Sequence, residues 1–447
     1  MKTITMLFTA FLSLAIGSLK AQTDTAQTHN FNLEQCINYA YEHQNTLLNA
    51  AIDQKIAASK VRETIGIGLP QISGSADLRD FLKTPTSLLP AEFFGGQAGQ
   101  FIPVQFGVKY NSSLGLSVNQ LLFSGSYLVG LQASKTYKEL SQRAYDRTKI
   151  ETNVAVSKAY YMVLVNNKQI DLLDANIAQL KDQLNQTKAL YDNGFAEKID
   201  ADRLSVLYNN LTTEKENILR SIALGITMLK FQMGMPITED LNLAGSIDNV
   251  KLDKIAMESD SSVYKNRVEY ALAETQIKLN QLDLKRYKSE FLPTLSAFGS
   301  GTYQYQNSSF GDLYKNSFPT TVIGLQLNVP IFSGGQKYQK VKQAQYTVLK
   351  SQNDLSQAKN SINLDIKNSI TSYTNSLSSL DNQQRNLDLA SEVLRVSKIK
   401  YEQGVGSSIE VTQAQTSLKE AQNNYINALY DALISKVDTE RATGIIK

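Results

Sequence analysis

The chain of 447 residues has 45 basic and 42 acidic side chains, and its net charge of +3 gives no electrostatic reason to expect nucleic-acid binding. Its hydrophobic content of 42% and mean hydropathy of −0.26 are too low for a bundle of membrane-spanning helices. With two histidines and one cysteine, neither a His/Cys metal site nor a bound cofactor is expected.

Residues 1–21 predict a secretory signal peptide. Met1-Lys2 is followed by a mostly apolar run over residues 4–19 and then by Lys20-Ala21. A single membrane anchor is the alternative, but the run is short and several polar residues interrupt it. We therefore expect cleavage after Ala21 and export of the mature chain.

Residues 22–237 predict a helix, two strands, a long helix and another helix, in that order. Helical spacing of apolar residues ends at Leu69-Pro70, and alternation of apolar and polar residues then predicts strands. The segment 81–106 between the strands contains three prolines and is predicted to be a loop. The predicted elements are a helix over 31–66, strands over 72–81 and 107–123, a long helix over 126–193 and a helix over 198–233.

The second half of the chain repeats these landmarks at nearly constant spacing. Phe332-Ser333-Gly334 repeats Phe123-Ser124-Gly125 after 209 residues, and Leu292-Pro293 repeats Leu69-Pro70 after 223. We predict a duplicated unit joined by a linker over 238–260. The second copy, residues 261–447, is predicted to begin with a helix and to contain strands over 294–306 and 322–331, a long helix over 335–401 and a helix over 407–443.

The long helices follow from proline placement and apolar spacing. None of the eight prolines falls within the four long predicted helices. As one helix, residues 335–401 would be roughly 100 Å long. Apolar residues in this helix step by three, four or seven positions, which predicts a coiled-coil seam. The seam residues are Leu355, Ile362, Ile366, Ile370, Tyr373, Leu377, Leu380, Leu387 and Leu394. The predicted fold class is therefore mainly α with a small β part.

The four predicted strands have the length that a tilted strand needs to cross a bilayer, about 9–11 residues. Four strands cannot close a barrel, and open sheet edges are not tolerated in lipid, so several chains would have to share one barrel. One face of the later strand in each copy is apolar, and we expect it to face lipid. Its residues are Leu114, Leu116, Val118, Ile323, Leu325 and Leu327.

The order of the elements and the paired turn motifs resemble the TolC family of outer-membrane efflux proteins. The resemblance covers residues 31–444 and includes the turns Tyr191-x-x-Gly194 and Tyr401-x-x-Gly404. It implies a homotrimer with a twelve-stranded barrel in the lipid of the outer membrane, which continues as an α-helical barrel through the periplasm. The implied partners are a periplasmic adaptor protein and an inner-membrane pump of the RND or ABC type, and the implied function is passive, gated export without catalysis.

The resemblance also implies that the two helix–turn–helix tips open and contact the adaptor. The residues implied at the adaptor contact are Tyr191, Gly194, Tyr401 and Gly404. Asp200 and Glu410 each lie six residues after the tip glycine, where acidic residues of the family line a closed constriction. One turn further on, this chain has Arg203 and Gln413 in place of a second acid. Acids this early in a helix are also favoured by the helix dipole, which is the alternative interpretation of Asp200 and Glu410.

An enzyme is not expected, because no glycine-rich phosphate loop or nucleophile elbow lies where a strand meets a helix. The alternative from another class is an exported structural coiled coil, such as a filament or surface-layer subunit. Long polar helices suit that function, but paired strands of membrane length with matched registers do not. A wide polar lumen imposes little chemical selectivity, so the sequence does not specify the cargo.

Overall fold

The computed structural model describes residues 28–247, 250, 252–253 and 263–446. The predicted signal peptide over residues 1–21, and part of the predicted linker over 238–260, lie outside the described residues. Among the helices in these ranges, none combines the length and the apolar character that crossing a membrane requires.

The chain forms two compact units, each built from three stretches of sequence. Each unit contains stretches from both predicted copies. The predicted division into residues 22–237 and 261–447 therefore describes a repeat in the sequence, and it stays a prediction. The first unit contains Met1–Asn45, Glu151–Ile255 and Thr371–Asp438. The second unit contains Thr46–Ile150, Ala256–Ile370 and Thr439–Lys447.

Helices dominate the described part of the chain, as the predicted fold class requires. The two longest have 68 and 67 residues, which agrees with the absence of proline in both segments. All nine residues of the predicted coiled-coil seam are buried or half-buried. The helices are α1 (Leu33–His43), α2 (Asn45–Ile67), α3 (Gly125–Asp192), α4 (Lys198–Met233), α5 (Val268–Ser289), α6 (Gln336–Glu402) and α7 (Ser408–Ala442).

The prediction of one continuous helix over residues 31–66 is wrong, because the chain breaks between α1 and α2. Asn32 caps α1 through a reciprocal pair of hydrogen bonds with Gln35. Gln44 then adopts an extended conformation, with φ −69° and ψ 118°. Its side-chain amide donates to the carbonyl of Gln232 at 3.3 Å, so a tertiary contact accompanies the break. Neither glycine nor proline marks this position in the sequence.

A single sheet carries four antiparallel strands in the order β2-β5-β7-β8. The observed bounds differ from the predicted ones by at most five residues at each end. The largest difference is at the last strand, which contains Pro319 and therefore begins before the predicted residue 322. Within the single chain this strand lies at an edge of the sheet, where proline is tolerated because only one side of the strand is hydrogen-bonded. The strands are β2 (Gln71–Asp80), β5 (Tyr110–Ser124), β7 (Thr294–Asn307) and β8 (Ser317–Asn328).

Two further strand pairs are present that the sequence patterns missed. The predicted loop over residues 81–106 contains a hairpin of β3 (Thr86–Pro90) and β4 (Phe101–Gln105), with a short 3-10 helix at Ala91–Phe94. Its prolines suggested a loop, but a two-stranded ribbon consists only of edge strands and tolerates them. The parallel pair of β1 (Thr28–Phe31) and β6 (Asp240–Leu243) has four residues per strand, too few for a clear alternation.

A buried arginine joins three helices in the second unit. Arg267 precedes α5, is 6% exposed, and forms a two-pronged ion pair with Glu269 at 2.9 Å. Its Nη1 also donates to the Asp365 carboxylate on α6 at 2.9 Å and to the Ala442 carbonyl at the end of α7 at 3.0 Å. Burial by itself raises the pKa of Glu269, but the hydrogen bonds and charge of Arg267 outweigh this and leave the pKa below its ordinary value.

A glycine ends α4 where no side chain would fit. Gly234 has φ +73°, and a Cβ built on it would lie 2.5 Å from the His43 carbonyl oxygen and 2.8 Å from the Gln44 Cα. Gly194 has a similar φ of +79°, but nothing lies within 4 Å of its Cβ position. Both glycines adopt a left-handed backbone conformation that disfavours other residues, but only at Gly234 would a side chain also clash with neighbouring atoms.

We therefore predict that Gly234→Ala destabilises the protein more than Gly194→Ala does. The left-handed backbone alone costs alanine about 1 kcal/mol at either site. The clash with backbone atoms adds about 1–3 kcal/mol at Gly234. Thermal unfolding of the detergent-solubilised variants, followed by circular dichroism at 222 nm, measures both losses. Equal shifts in midpoint would contradict the steric role of Gly234.

Candidate functional site

The α3–α4 and α6–α7 helix pairs end in turns of the same form. Gly194 donates its N–H to the Tyr191 carbonyl at 2.9 Å, and Gly404 donates to the Tyr401 carbonyl at 3.0 Å. Both glycines have positive φ, +79° and +73°, which side chains rarely adopt. In each Tyr-x-x-Gly motif, the three-residue spacing thus corresponds to a hydrogen bond from the glycine N–H to the tyrosine carbonyl, and the glycine supplies the left-handed conformation that the turn needs.

An apolar residue follows each tip glycine, and sequence reasoning missed it. Phe195 and Val405 are 81% and 79% exposed. They lie 210 residues apart, the same spacing as the two glycines, so the repeat could have revealed them. Tyr191 and both glycines are exposed as well. Each tip therefore presents an exposed apolar side chain, flanked by exposed charged residues such as Asp192 and Glu402.

Both tips lie next to buried apolar clusters. The α3–α4 pair packs through leucines of both helices and Ile218, while the α6–α7 pair packs Leu394 against Val411, Ala414 and Leu418. Tyr401 contacts the second cluster. The turns are thus held by packed helices, and side chains near them have defined positions.

Asp200 links the two tips. It lies in the first turn of α4, and its Oδ1 accepts a hydrogen bond of 2.5 Å from the hydroxyl of Ser408, the first residue of α7. The guanidinium of Arg203 lies 3.6 Å from the same oxygen. The Asp200 side chain is 18% exposed, so its interactions are partly shielded from water. Sequence reasoning missed Ser408, which lies four residues after the tip glycine Gly404 and directly after Ser407, whose hydroxyl caps α7.

The Asp200 carboxylate also affects the pKa of Tyr401. Burial raises the pKa of the Tyr401 phenol, and the negative charge of Asp200 raises it further. The phenol therefore stays protonated at neutral pH.

Glu410 and Gln413 are in a different environment. Both side chains are exposed, and the backbone N–H of Glu410 donates to the Ser407 hydroxyl at 3.2 Å. Within the described residues, the structure therefore groups Asp200 with Arg203 and Ser408, but it does not bring Glu410 or Gln413 into that group. Glu410 also lies in the first helical turn, where the helix dipole favours an acid.

Above the tips, amide side chains join α7 to α3. Gln415 donates to Gln183 at 2.6 Å, and seven residues further along α7, Gln422 pairs reciprocally with Asn176. Asn176 lies seven residues before Gln183, as antiparallel helices in register require. We call these two pairs the amide ladder.

The predicted lipid-facing residues share one face of the sheet. Val118 lies opposite Gly299, which lies opposite Ile323, and directly opposed residues project to the same side. All six predicted residues are exposed, up to 86% for Ile323. The other face is polar, with Ser73 and Ser117 hydrogen-bonded at 2.8 Å across β2 and β5. No cluster of three or more potential metal ligands was found among the described residues.

Long helices attached to a sheet with one exposed apolar face define a class of outer-membrane channel. The chain belongs to the outer membrane efflux protein family, whose profile matches residues 36–205 and 261–444. It is an outer-membrane channel of the efflux and secretion type, in a family not known for enzymes.

Individual relatives agree with this assignment. The chain is 23% identical to outer membrane protein TolC of Vibrio cholerae, with 98% of this chain and 94% of the relative covered. It is 21% identical to the alkaline protease secretion protein AprF of Pseudomonas aeruginosa, with 74% and 69% covered. The solved structure of CusC, described with transmembrane channel formation, superposes with a TM-score of 0.77 at 15% identity over 93% of both chains. These similarities confirm the predicted family and fold class, and none favours a filament or surface-layer subunit.

Proposed function

We propose that three copies of this chain form the exit duct of a tripartite efflux or type I secretion system. The main support is the open sheet. In the described residues, β2 pairs only with β5 and β8 pairs only with β7, so two edges stay unpaired beside an exposed apolar face. Lipid does not tolerate unpaired edges, and pairing β2 of one copy with β8 of the next removes them. Three copies then give a barrel of twelve strands.

The remaining assignments belong to the same proposal. Residues 1–21 direct export and are removed, and residues 238–260 join the two copies at 22–237 and 261–447. The helices continue into the periplasm, where the exposed tip residues Phe195 and Val405, with the two tip turns, contact an adaptor protein. An inner-membrane pump supplies the free energy, and the duct conducts passively.

The closed state of the duct is proposed to depend on the tips. Asp200 holds the α3–α4 tip to the α6–α7 tip through Ser408. Glu410, exposed in the first turn of α7, lines the constriction when three copies are assembled. A ring of carboxylates there favours cations over anions.

We predict that the mature chain is extracted from membranes only with detergent and that it is a trimer in native mass spectrometry. Salt and alkaline washes serve as the control, because they release peripheral proteins but leave membrane-inserted strands in place. Release without detergent, or an open-ended series of oligomers, would contradict the duct and favour a filament subunit.

A further inference from the structure

Basic residues are concentrated where the helices join the sheet. The antiparallel registers bring the start of β2, the end of β5, the start of β7 and the end of β8 to one end of the sheet. Helices α2, α3, α5 and α6 all meet the sheet at this end. The twelve residues of each helix nearest to the sheet contain ten basic and two acidic residues in total, whereas the whole chain has 45 and 42.

Most of this charge lies on α5 and α6. Seven of the ten basic residues are there, and we call the four exposed lysines closest to the sheet the basic corner: Lys285, Lys288, Lys340 and Lys342. Within the described residues, none of the four has an ion-pair partner. Arg286, by contrast, is paired with Asp283 at 2.7 Å and with Glu290 at 3.7 Å.

The two helix ends that form the basic corner contact each other. The Lys337 ammonium donates to the Glu290 carbonyl at 2.5 Å and lies 5.8 Å from the centre of the Phe291 ring. Every lysine of the corner lies within about 9 Å of its helix end, at 1.5 Å per residue. This distance is comparable to a headgroup layer of about 6 Å plus part of a Debye length of about 8 Å.

Apolar side chains surround the same corner. Phe332 is 89% exposed, and Ile331, Tyr338 and Phe291 are exposed beside it. Exposed aromatic residues next to membrane strands are typical of the lipid–water interface. The lysines could also bind an acidic protein, but such a partner would leave the neighbouring apolar side chains exposed to water. A lipid surface accounts for both the lysines and the apolar side chains.

The part of the corner on α6 belongs to one copy of the repeat only. The residues 209 positions before Lys340 and Lys342 are Leu131 and Ala133, whereas the residue 223 positions before Lys285 is Arg62. The charge on α6 is therefore not a general property of a helix that leaves this sheet.

We propose that the basic corner binds the anionic headgroups of phospholipids in the membrane leaflet next to the helices. This inference rests on the proposed function, because it requires the strands to lie in a bilayer. Lysine ammonium groups attract the headgroup phosphate as point charges, while the aromatic and aliphatic side chains enter the acyl boundary. The corner thereby fixes the depth of the sheet in the membrane.

The test compares two variants of the full-length trimer that lose the same charge. The first is Lys285→Gln/Lys288→Gln/Lys340→Gln/Lys342→Gln. The control is Lys55→Gln/Lys138→Gln/Arg143→Gln/Lys350→Gln, which removes four exposed basic residues more than twelve positions from the sheet. Native mass spectrometry in neutral detergent measures how many molecules of phosphatidylglycerol, or of phosphatidylcholine with the same acyl chains, each protein retains.

We expect the unmodified channel and the control variant to prefer phosphatidylglycerol by about tenfold or more, since each basic group near an anionic surface contributes to the attraction. The first variant should lose most of this preference. A preference that survives in the first variant, or is absent from the unmodified channel, would overturn the proposal. Retention of poly-glutamate with no preference for phosphatidylglycerol would assign the corner to an acidic protein and would also overturn it.

Flotation with vesicles of pure phosphatidylcholine separates this inference from the proposed function. If the unmodified channel fails to float with the vesicles, the strands are not inserted and the duct proposal fails. If it floats but shows no preference for phosphatidylglycerol, only the lipid site is wrong.

Discussion

Neutralising both acids in Asp200→Asn/Glu410→Gln is expected to raise the single-channel conductance in planar bilayers and to reduce the preference for cations. Asp200 holds Ser408 through a charged hydrogen bond, and such bonds contribute about 1.5–3 kcal/mol. Losing about 1.5 kcal/mol from a closed state shifts a two-state equilibrium about tenfold towards the open one. Removing the Glu410 charge takes away a carboxylate from each copy at the constriction.

The single variants separate the two effects. Asp200→Asn should mainly raise the open fraction, because it weakens the contact between the tips, whereas Glu410→Gln should mainly lower cation preference, because this residue is exposed. Asp202→Asn/Glu402→Gln is the matched control, since both acids are exposed at the same tips and lie outside the Asp200 group. A double variant that conducts like the unmodified channel would exclude Asp200 and Glu410 as the gate.

Replacing the buried arginine in Arg267→Met is expected to cause a large loss of stability, about 3–5 kcal/mol. The substitution leaves Glu269 without its ion-pair partner and Asp365 with Arg441 alone, and removing the buried member of an ion pair costs this much. Arg441→Met is the matched control. Arg441 reaches the same Asp365 at 3.2 Å but is one-third exposed, so its loss should cost about 1 kcal/mol or less. Thermal unfolding in detergent measures both.

The pH dependence of this stability loss shows whether the Glu269 carboxylate is responsible for it. A carboxyl group whose pKa is lowered by folding stabilises the protein above its unfolded pKa, and this contribution disappears as the pH falls through the folded pKa. The pKa of Glu269 is lowered from an ordinary value of 4.5, so the difference between the unmodified protein and Arg267→Met should be complete at pH 7 and should shrink below about pH 4.5. A difference that stays constant down to pH 3 would mean that the Glu269 carboxylate is not involved.

The sequence predicted the elements whose patterns are long and regular. Proline-free helices and the alternating strands on either side of the Phe-Ser-Gly turns give strong periodic signals, and the structure contains them. The break at Gln44 could not be predicted, because it coincides with a contact to Gln232, which is 188 residues away. The hairpin of β3 and β4 was missed because prolines in a sequence count as evidence against strands. Proline is disfavoured only in central strands, and both strands of a hairpin are edge strands.

The candidate site was only partly predictable. Spacing from the tip glycines located Asp200 and Glu410 as equivalent positions in the two copies, but it could not show that one is half-buried and the other exposed. That difference depends on which residue of the other tip lies opposite, and only the folded chain brings Ser408 to Asp200. The sequence contains the basic residues of the corner, but it does not show that they lie close together. That follows from the strand registers, which bring the four strand ends to one end of the sheet.

The amide ladder has a consequence for how the helices can move. Gln183, Gln415, Asn176 and Gln422 carry no proton that titrates at physiological pH, so acidification of the surrounding compartment leaves their pairing unchanged. An amide can also exchange its partner for water without leaving an isolated charge in a dry environment, as a broken ion pair would. Along the amide ladder, helix α7 can therefore move against α3 without breaking an ion pair, whereas Lys158 and Asp438, 2.6 Å apart, hold the same two helices together further from the tips. This arrangement would let the tips part while the helix pair stays assembled above them.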